Sequence, residues 1–506
     1  MRAAGGRLTV AVALLAVIAA GCAGDASEGP RAQAPKRPHV VVLILDELSG
    51  DILLGPDGRI DAGRYPNFAA LAGDSTWFRN AYSSYDSSTK AVPLILDGMA
   101  PRPGTAPTAR DHPRSLLTAL GRRGYRIVTS EEATSLCPRR YCPSARERRP
   151  AIIPNLQGGR AERWARWVGS IRASRRPTIW MKHALLPHGP WVYLPSGRMM
   201  RPERRELLPG MQTIPGFYDD YLTLHNQQRQ LLQLGFTDRL LGGLLARLKS
   251  QGMYDDTAVV VTADHGFSWD VGVETRRRVA PSSVEEVAPV PLIVKRPGQT
   301  RGRISGAYAQ TLDVAPTIAD VLNVPLGYRT DGRSAFSRSV AARRGVSIVT
   351  RDFASVVRLP GSEWRARRAA VVRRRLSRLG SGDWASLFTG IGPNRQLIGT
   401  SVQRVRAAGG GARATLSLRR LFRNVRRARG IVPTQVAGRI RGSAPGRERD
   451  LAIAVNGRIE AVGRSFQLRG EPVESYSVMV PEDSLREGRN EVEVLEVTDD
   501  GEMVLL

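Results

Sequence analysis

Short runs of aliphatic and β-branched residues alternate with helix-length segments along the first two-thirds of the chain. His39–Leu45 (HVVVLIL), Tyr125–Thr129, Thr178–Ala184, Ala258–Thr262 and Val290–Lys295 have strand length and little polar interruption, which suits strands covered on both faces. Between them, apolar positions three and four apart predict helices over Pro66–Ala72, Arg114–Arg122, Tyr221–Lys249 and Gln310–Leu322. In the longest, Leu231, Leu232, Leu234, Leu240, Leu241, Leu244, Leu245 and Leu248 would share one buried face. Such alternation predicts an α/β sandwich around a mostly parallel sheet. From Ile431 onward the pattern changes to short alternating segments, QVAGRIRG, DLAIAVNGRIEAVGRSF, SYSVMVP and NEVEVLEV, with Asn456-Gly457 as a hairpin signal. This predicts a C-terminal β-sandwich domain. The stretch between is irregular, with basic helices and a glycine-rich break at Gly409–Gly411. No internal repeat is present.

The N-terminus reads as an export signal. Arg2 and Arg7 flank the start of an apolar run from Leu8 to Ala20 that is too short for a comfortable membrane span. Ala19-Ala20-Gly21-Cys22 resembles a bacterial lipobox, with alanine where leucine is usual. This makes Cys22 a lipidation site and the protein an exported, membrane-anchored lipoprotein of the bacterial cell envelope. An ordinary cleaved signal peptide or an uncleaved anchor is the alternative. The expected organisation is a signal peptide over 1–22, a tether over 23–37, an α/β domain over 38–335, a basic connecting region over 336–430 and the β-sandwich over 431–506.

Cys137 and Cys142, in CPRRYC, lack the two-residue gap of a redox or zinc pair and suit a structural disulfide in an exported protein. The formal charge is +28, carried mostly by arginine and concentrated in Arg365–Gly380 and Arg419–Gly430. The ordinary interpretation is a solvated basic surface. The functional one is adhesion to anionic lipid headgroups or envelope polymers, hence to a membrane surface. Without a recognisable binding module, nucleic acid is not an expected partner.

Two of the buried strands end on metal-type ligands. VVVTADHGF delivers Asp264 and His265 before the Gly266 turn, and HVVVLIL runs into Asp46-Glu47. Carboxylate and imidazole at rigid strand ends suit a divalent ion; a polar turn after a buried strand is the bland reading. Between them lies Asp86-Ser87-Ser88-Thr89-Lys90-Ala91-Val92-Pro93. Hydroxyls at a helix start either cap it or hold an oxyanion. Near a cation, such a hydroxyl can be deprotonated and attack phosphorus or sulfur.

The ordered motifs VVVLILDE, YPNFAALAGDSTWFRNAYS, AVPLILDG, LGRRGYRIV, HALLPHGPW, VVVTADHG and VPLIVKRPGQ with TLDVAPTIADVLNV resemble the sulfatase-like branch of the alkaline phosphatase superfamily, over about His39 to Gly332. The resemblance implies that Asp46, Asp264 and His265, with Glu47 as a weaker ligand, hold one divalent ion: manganese, magnesium or calcium, with zinc open because of the imidazole. It places the nucleophile ten residues before Gly98, at Ser88, with Thr89 as fallback. His188, and less directly His183, would contact the transferred group or protonate the leaving oxygen; either could instead fix its loop. Lys295 and Lys90 are substrate contacts or merely structural.

Departures from the family pattern bear on substrate. Formylglycine sulfatases carry Cys/Ser-x-Pro-x-Arg, and Ser88-Thr89-Lys90-Ala91-Val92 has neither that proline nor that arginine. The basic residues expected after Gly124-Tyr125 are missing, with Glu131 and Glu132 nearby instead. Asp219 and Asp220 stand six and five residues before His225, which is the wrong spacing for a second zinc. The resemblance then implies a hydrolase or phosphotransferase acting on phosphoesters of anionic envelope glycans or lipids through a hydroxyl. The alternatives are sulfate-ester hydrolysis without formylglycine, and a catalytically degenerate scaffold that binds anionic envelope polymers.

Overall fold

The computed structural model describes residues 37–143, 152–204, 206–389, 391–402, 406–407, 411–444 and 446–506. The export signal, Cys22 and the tether up to residue 36 lie outside the described residues. Among those described, no helix is long and apolar enough to cross a membrane.

Seven strands form the central sheet: β1 (His39–Asp46), β2 (Thr76–Phe78), β3 (Arg126–Glu131), β4 (Thr178–Pro187), β5 (Thr257–Ala263), β6 (Leu292–Lys295) and β7 (Arg303–Ser305), in the order β3-β4-β1-β5-β6-β2-β7. The pairs β3·β4, β4·β1, β1·β5 and β2·β7 are parallel, and β6 runs antiparallel to both its neighbours. The mostly parallel α/β sheet expected from the pattern is therefore present. Every residue of β1, β4 and β5 is buried, as continuous apolar runs covered on both faces require. The helix Asp220–Ser250 packs beside β4. It buries Leu231, Leu232, Leu234, Leu241, Leu244, Leu245 and Leu248 of the face its periodicity predicts, while Leu240, at the edge of that face, is only partly buried. The predicted helix Gln310–Leu322 resolves into a short 3-10 turn, Thr311–Asp313, and an α-helix, Val314–Val321.

The sequence pattern missed the hairpin of β8 (Gly345–Val349) and β9 (Val356–Pro360). The helix Gly361–Leu379 follows it directly. The solvated reading holds for Arg365, Arg373, Arg374 and Arg378 but needs correction for Arg368 and Arg375. Trp364, Arg368, Arg375 and Leu379 fall on one buried face, where Arg368 forms an ion pair with Asp51 and Arg375 donates to the Leu54 carbonyl.

The remaining strands are β10 (Arg406–Ala407), β11 (Arg413–Leu416), β12 (Gln435–Arg441), β13 (Asp450–Val455), β14 (Arg458–Gln467), β15 (Glu474–Met479), β16 (Val492–Val497) and β17 (Met503–Leu505). They form one sheet, β10-β17-β16-β13-β14-β15-β12-β11. The first half of β14 pairs with β13 and its last three residues pair with β15. The sheet thus folds over on itself, and Leu451 and Ile453 meet Val436 and Ile440 in a shared core. The expected sandwich is a single continuous sheet closed as a half-barrel. Asn456 and Gly457 take φ of 52° and 82° between Val455 and its partner Arg458, as a two-residue hairpin requires.

Candidate active site

β1 lies between β4 and β5, and all three run in the same direction. Their C-terminal ends therefore emerge side by side, where open parallel sheets present ligands. Asp46 ends β1, Asp264 and His265 follow β5, and His183 stands on β4 opposite Ile44. Gly266 is obligatory in this turn: a Cβ there would come within 2.5 Å of the Glu286 carbonyl oxygen. Just past β1, Glu47 takes φ of 59°, a left-handed conformation strained for a glutamate. Its amide N–H donates to Asp264 Oδ1 across 3.2 Å, tying the two strand ends together.

Ser88 is the first residue of the helix Ser88–Asp97 and projects into this cluster. Its Oγ lies 3.3 Å from Asp46 Oδ2 and 3.5 Å from His265 Nε2. Ser87, at the N-cap, makes no side-chain capping bond; its hydroxyl lies 3.2 Å from that of Thr89. The structure therefore brings Ser88, and not Thr89, to the carboxylates. Asp86, fully buried, orients the helix entry. It accepts from the Val279 amide at 2.7 Å and from Arg351 Nε at 3.0 Å.

The ligand atoms of Asp46, Asp264 and His265 lie within 4.8 Å of one another, as do those of Asp46, Glu47 and His188. Both groups include Asp46, so among the described residues they mark one centre. Asp46 Oδ1, Asp264 Oδ2 and both ring nitrogens of His183 are buried without a hydrogen-bond partner. Orphaned carboxylate oxygens in a buried cluster are costly unless a cation offsets them, so this donor set fits a divalent ion. Burial raises the Asp46 carboxyl, but His188, His183 and His265 outweigh it and hold the group below the usual range. Burial and the neighbouring Asp46 charge push Asp264 up. His265 donates Nδ1–H to the Gly266 carbonyl at 2.8 Å, leaving Nε2 turned to Ser88 and the carboxylates.

His188 and His183 take different places. His183 is wholly buried, with Nε2 3.4 Å from Asp46 Oδ2. His188 borders the open side, its Nε2 3.4 Å from Glu47 Oε1 and 3.1 Å from an Arg277 nitrogen. Two buried side chains fix its loop: Arg160 donates to the carbonyls of His188 and Pro190 at 2.8 and 2.7 Å, and Gln233 donates to those of His188 and Pro187 at 2.8 and 3.0 Å.

Arg277, which the sequence did not single out, forms an ion pair with Glu47 while about half its side chain stays exposed. It belongs to a triplet whose other members do different work. Arg276 stacks on Phe217 and Arg278 pairs with Asp352. Glu47, Arg277, His188, Trp191, Phe267 and Arg201 border a cleft of about 330 Å³ leading to the cluster. The two lysines are structural. Lys90 donates to Thr105 and the Arg102 carbonyl, and Lys295 donates to the Asp255 carbonyl over the Tyr254 ring. Glu132 is buried against Lys182 and Arg163. His225 Nε2 lies 2.8 Å from the Ser477 hydroxyl in β15, far from any ligand group. Cys137 and Cys142 are joined by a disulfide.

Comparison with known proteins finds sulfatases and a phosphonate monoester hydrolase among the similar chains. Residues 161–324 match the Sulfatase family model. Choline-sulfatase of Rhizobium meliloti (strain 1021) is 23% identical over 356 residues, covering 57% of this chain and 68% of that protein. Arylsulfatase K of Danio rerio is 34% identical over 101 residues, covering 20% of this chain and 18% of that protein. The crystal structure of the phosphonate monoester hydrolase of Agrobacterium radiobacter superposes with a TM-score of 0.45 at 16% identity, covering 62% of this chain and 80% of that one. Its motifs thus stand in order around one acidic centre, in a chain whose residues 161–324 match the Sulfatase family model and which is similar to sulfatases of the alkaline phosphatase superfamily.

Proposed function

We propose that the protein cleaves or transfers phosphoesters of anionic envelope glycans or lipids, with Ser88 as nucleophile. The observation that carries this reading is the Ser88 hydroxyl 3.3 Å from Asp46 and 3.5 Å from His265, at the centre where the buried Asp46 and Asp264 carboxylates converge. Asp46, Asp264 and His265 would hold a divalent ion, whose charge lowers the pKa of the hydroxyl and offsets negative charge on the phosphoryl oxygens.

The Ser88 proton leaves along its hydrogen bond to Asp46 Oδ2 as Oγ attacks phosphorus. The Ser88 O–P bond forms and the ester P–O bond breaks. His188 holds the Gly189 carbonyl with Nδ1–H at 2.5 Å and presents Nε2 at the cleft; as the imidazolium it gives its Nε2 proton to the leaving oxygen and is left as the neutral Nδ1–H ring. Arg277 stands beside it to bind a phosphoryl oxygen. Water, or an acceptor alcohol, then attacks the phosphoserine and releases Ser88.

A plain serine favours phosphorus over sulfur here, because the segment lacks the proline and arginine that mark formylglycine formation. The test is turnover of 4-nitrophenyl phosphate, a bis(4-nitrophenyl) phosphodiester and 4-nitrophenyl sulfate by the metal-loaded protein. Phosphoester turnover with a phosphorylated Ser88 peptide is expected. Exclusive sulfate release would replace this reading with sulfate-ester hydrolysis.

A further inference from the structure

The cleft leading to the reaction centre has an apolar side that the chemistry of Ser88 does not use. The short helix Ile152–Leu156 forms part of it, with Ile153 and Leu156 both in the lining. At positions i and i+3 they share one helix face. None of the residues in this helix is fully buried. Polar bonds hold it to the body instead. The Asn155 side chain donates to the Glu132 carbonyl at 2.8 Å, and Arg163 donates to the Asn155 carbonyl at 2.6 Å. Ile153 is left 67% exposed. A surface helix ordinarily fixes itself by burying its apolar face; this one is tied down through polar groups and gives its aliphatic face to the cleft.

Single exposed aliphatics are ordinary, but a group of them marks a binding surface. Among the described residues, the exposed large hydrophobic side chains are Ile153, Ile214, Val271 and Ile304. Three of the four lie on segments that adjoin this opening. Ile214 stands two residues from Gln212 in the cleft lining. The Gly272 amide, next to Val271, donates at 3.0 Å to the Phe217 carbonyl in the turn Ile214–Phe217, and Phe217 packs on Phe267 of the lining. The polar groups of the same lining are largely engaged within the protein. Glu203 accepts from Arg160, the Tyr193 hydroxyl and the Gly159 amide, Glu206 faces Arg201 and Arg229, and Gln212 accepts from the Trp191 amide. A sugar ring would need unspent donors and acceptors there, whereas a hydrocarbon needs only apolar surface to shield it from water.

We propose that Ile153 and Leu156, with Trp191 and Phe267 of the same lining, form a hydrocarbon subsite that takes the alkyl or acyl chain of a lipid phosphoester whose head lies at Ser88. The cleft runs from Glu47, His188 and Arg277 to this wall, so the part of an ester that extends from its phosphoryl group lies along it. The nature of the head rests on the function proposed above, whereas the subsite rests on the helix and its neighbours in the lining.

Calorimetric titration of the full, metal-loaded chain with n-alkyl phosphates from methyl to octyl tests it. Affinity should rise about two- to fourfold for each methylene added, the upper value being that of a fully buried group. Affinity independent of chain length would overturn the proposal. Ile153→Asn should weaken octyl phosphate by about tenfold or more, and Ile153→Leu, which keeps the hydrocarbon, should retain the rise. A rise undiminished in the double variant Ile153→Asn, Leu156→Asn would also overturn it, because the chain would then be held elsewhere. Both single variants should unfold at the temperature of the unaltered protein, since most of the Ile153 side chain is already exposed; a fall in Ile153→Asn would mean that this side chain serves the fold, and would count against the subsite. Alkyl sulfates of the same lengths separate the subsite from the reaction. A rise with sulfates alone would sink the phosphoester reading and leave the subsite standing, whereas phosphate binding and ester turnover without any rise would do the reverse. Binding of neither series would overturn both. Competition by dihexanoylglycerol phosphate, compared with geranyl phosphate, assigns the chain to a glycerolipid or an isoprenoid; competition by neither counts against the subsite.

Discussion

Ser88, Asp264 and Arg277 each carry a distinct expectation. Ser88→Ala should reduce phosphoester turnover by about a thousandfold or more and abolish covalent labelling, with metal content unchanged by elemental analysis. Labelling that persists would transfer the role to Thr89. Asp264→Asn should instead strip the metal, since Asp264 Oδ2 has no other partner. Arg277→Ala should raise KM by roughly 10- to 100-fold, the worth of a charge-assisted hydrogen bond of about 1.5–3 kcal/mol. Ser88, Asp46, Asp264 and His265 were legible because each sits at or beside a strand end or helix start that the hydrophobic pattern marks. Arg277 was not. Within Arg276-Arg277-Arg278 all three are chemically alike, and only the path of the loop decides that the middle one meets Glu47. Lys90 and Lys295 show the converse, with suggestive positions whose charges are spent on neighbouring carbonyls.

Secondary-structure elements matter here chiefly for how they hold the His188 loop and join the two sheets. Arg160→Met should free the His188 and Pro190 carbonyls of that loop and lower kcat by about tenfold through misplacement of His188, measured on a nitrophenyl ester. The Asp220–Ser250 helix meets the C-terminal sheet where His225 reaches Ser477. Burial, then the nearby Arg229 charge, holds the His225 imidazole well below its ordinary range. The unfolded chain therefore takes up this proton first as pH falls. The stability His225 contributes is complete above about pH 6.5 and is lost below it, at up to about 1.4 kcal/mol per pH unit. Urea unfolding between pH 7.5 and 5.5 should show a shallower decline for His225→Gln. β1, β4 and β5 were readable as strands because unbroken apolar runs need cover on both faces. β7 and the β8–β9 hairpin were missed because RIS is mostly exposed and GVSIV and VVRLP are short, interrupted by polar residues and flanked by a helix.

For the molecule as a whole, the buried acidic centre predicts a metal-linked stability. Chelation should lower the midpoint of thermal unfolding by several degrees, at about 2–4 °C per kcal/mol, with recovery on adding manganese or magnesium. No change in the midpoint would mean that Asp46 and Asp264 are compensated without a cation. The broad architecture was evident from the chain, but the relation of its two halves was not, because the seam joins residues far apart in sequence: polar contacts of Tyr221 and His225 with Ser477, beside Phe466, Leu468 and Met479, which share the main core. Those contacts have a practical bearing. Tyr221 and His225 both anchor on Ser477, and Gly463 lies so close to the Tyr221 hydroxyl that any side chain there would collide with it. A shortened form ending near residue 335 would open this seam to water, laying bare the flank of the same helix that carries Arg229 and Gln233. Expression trials that trim the tail should accordingly yield insoluble or inactive material.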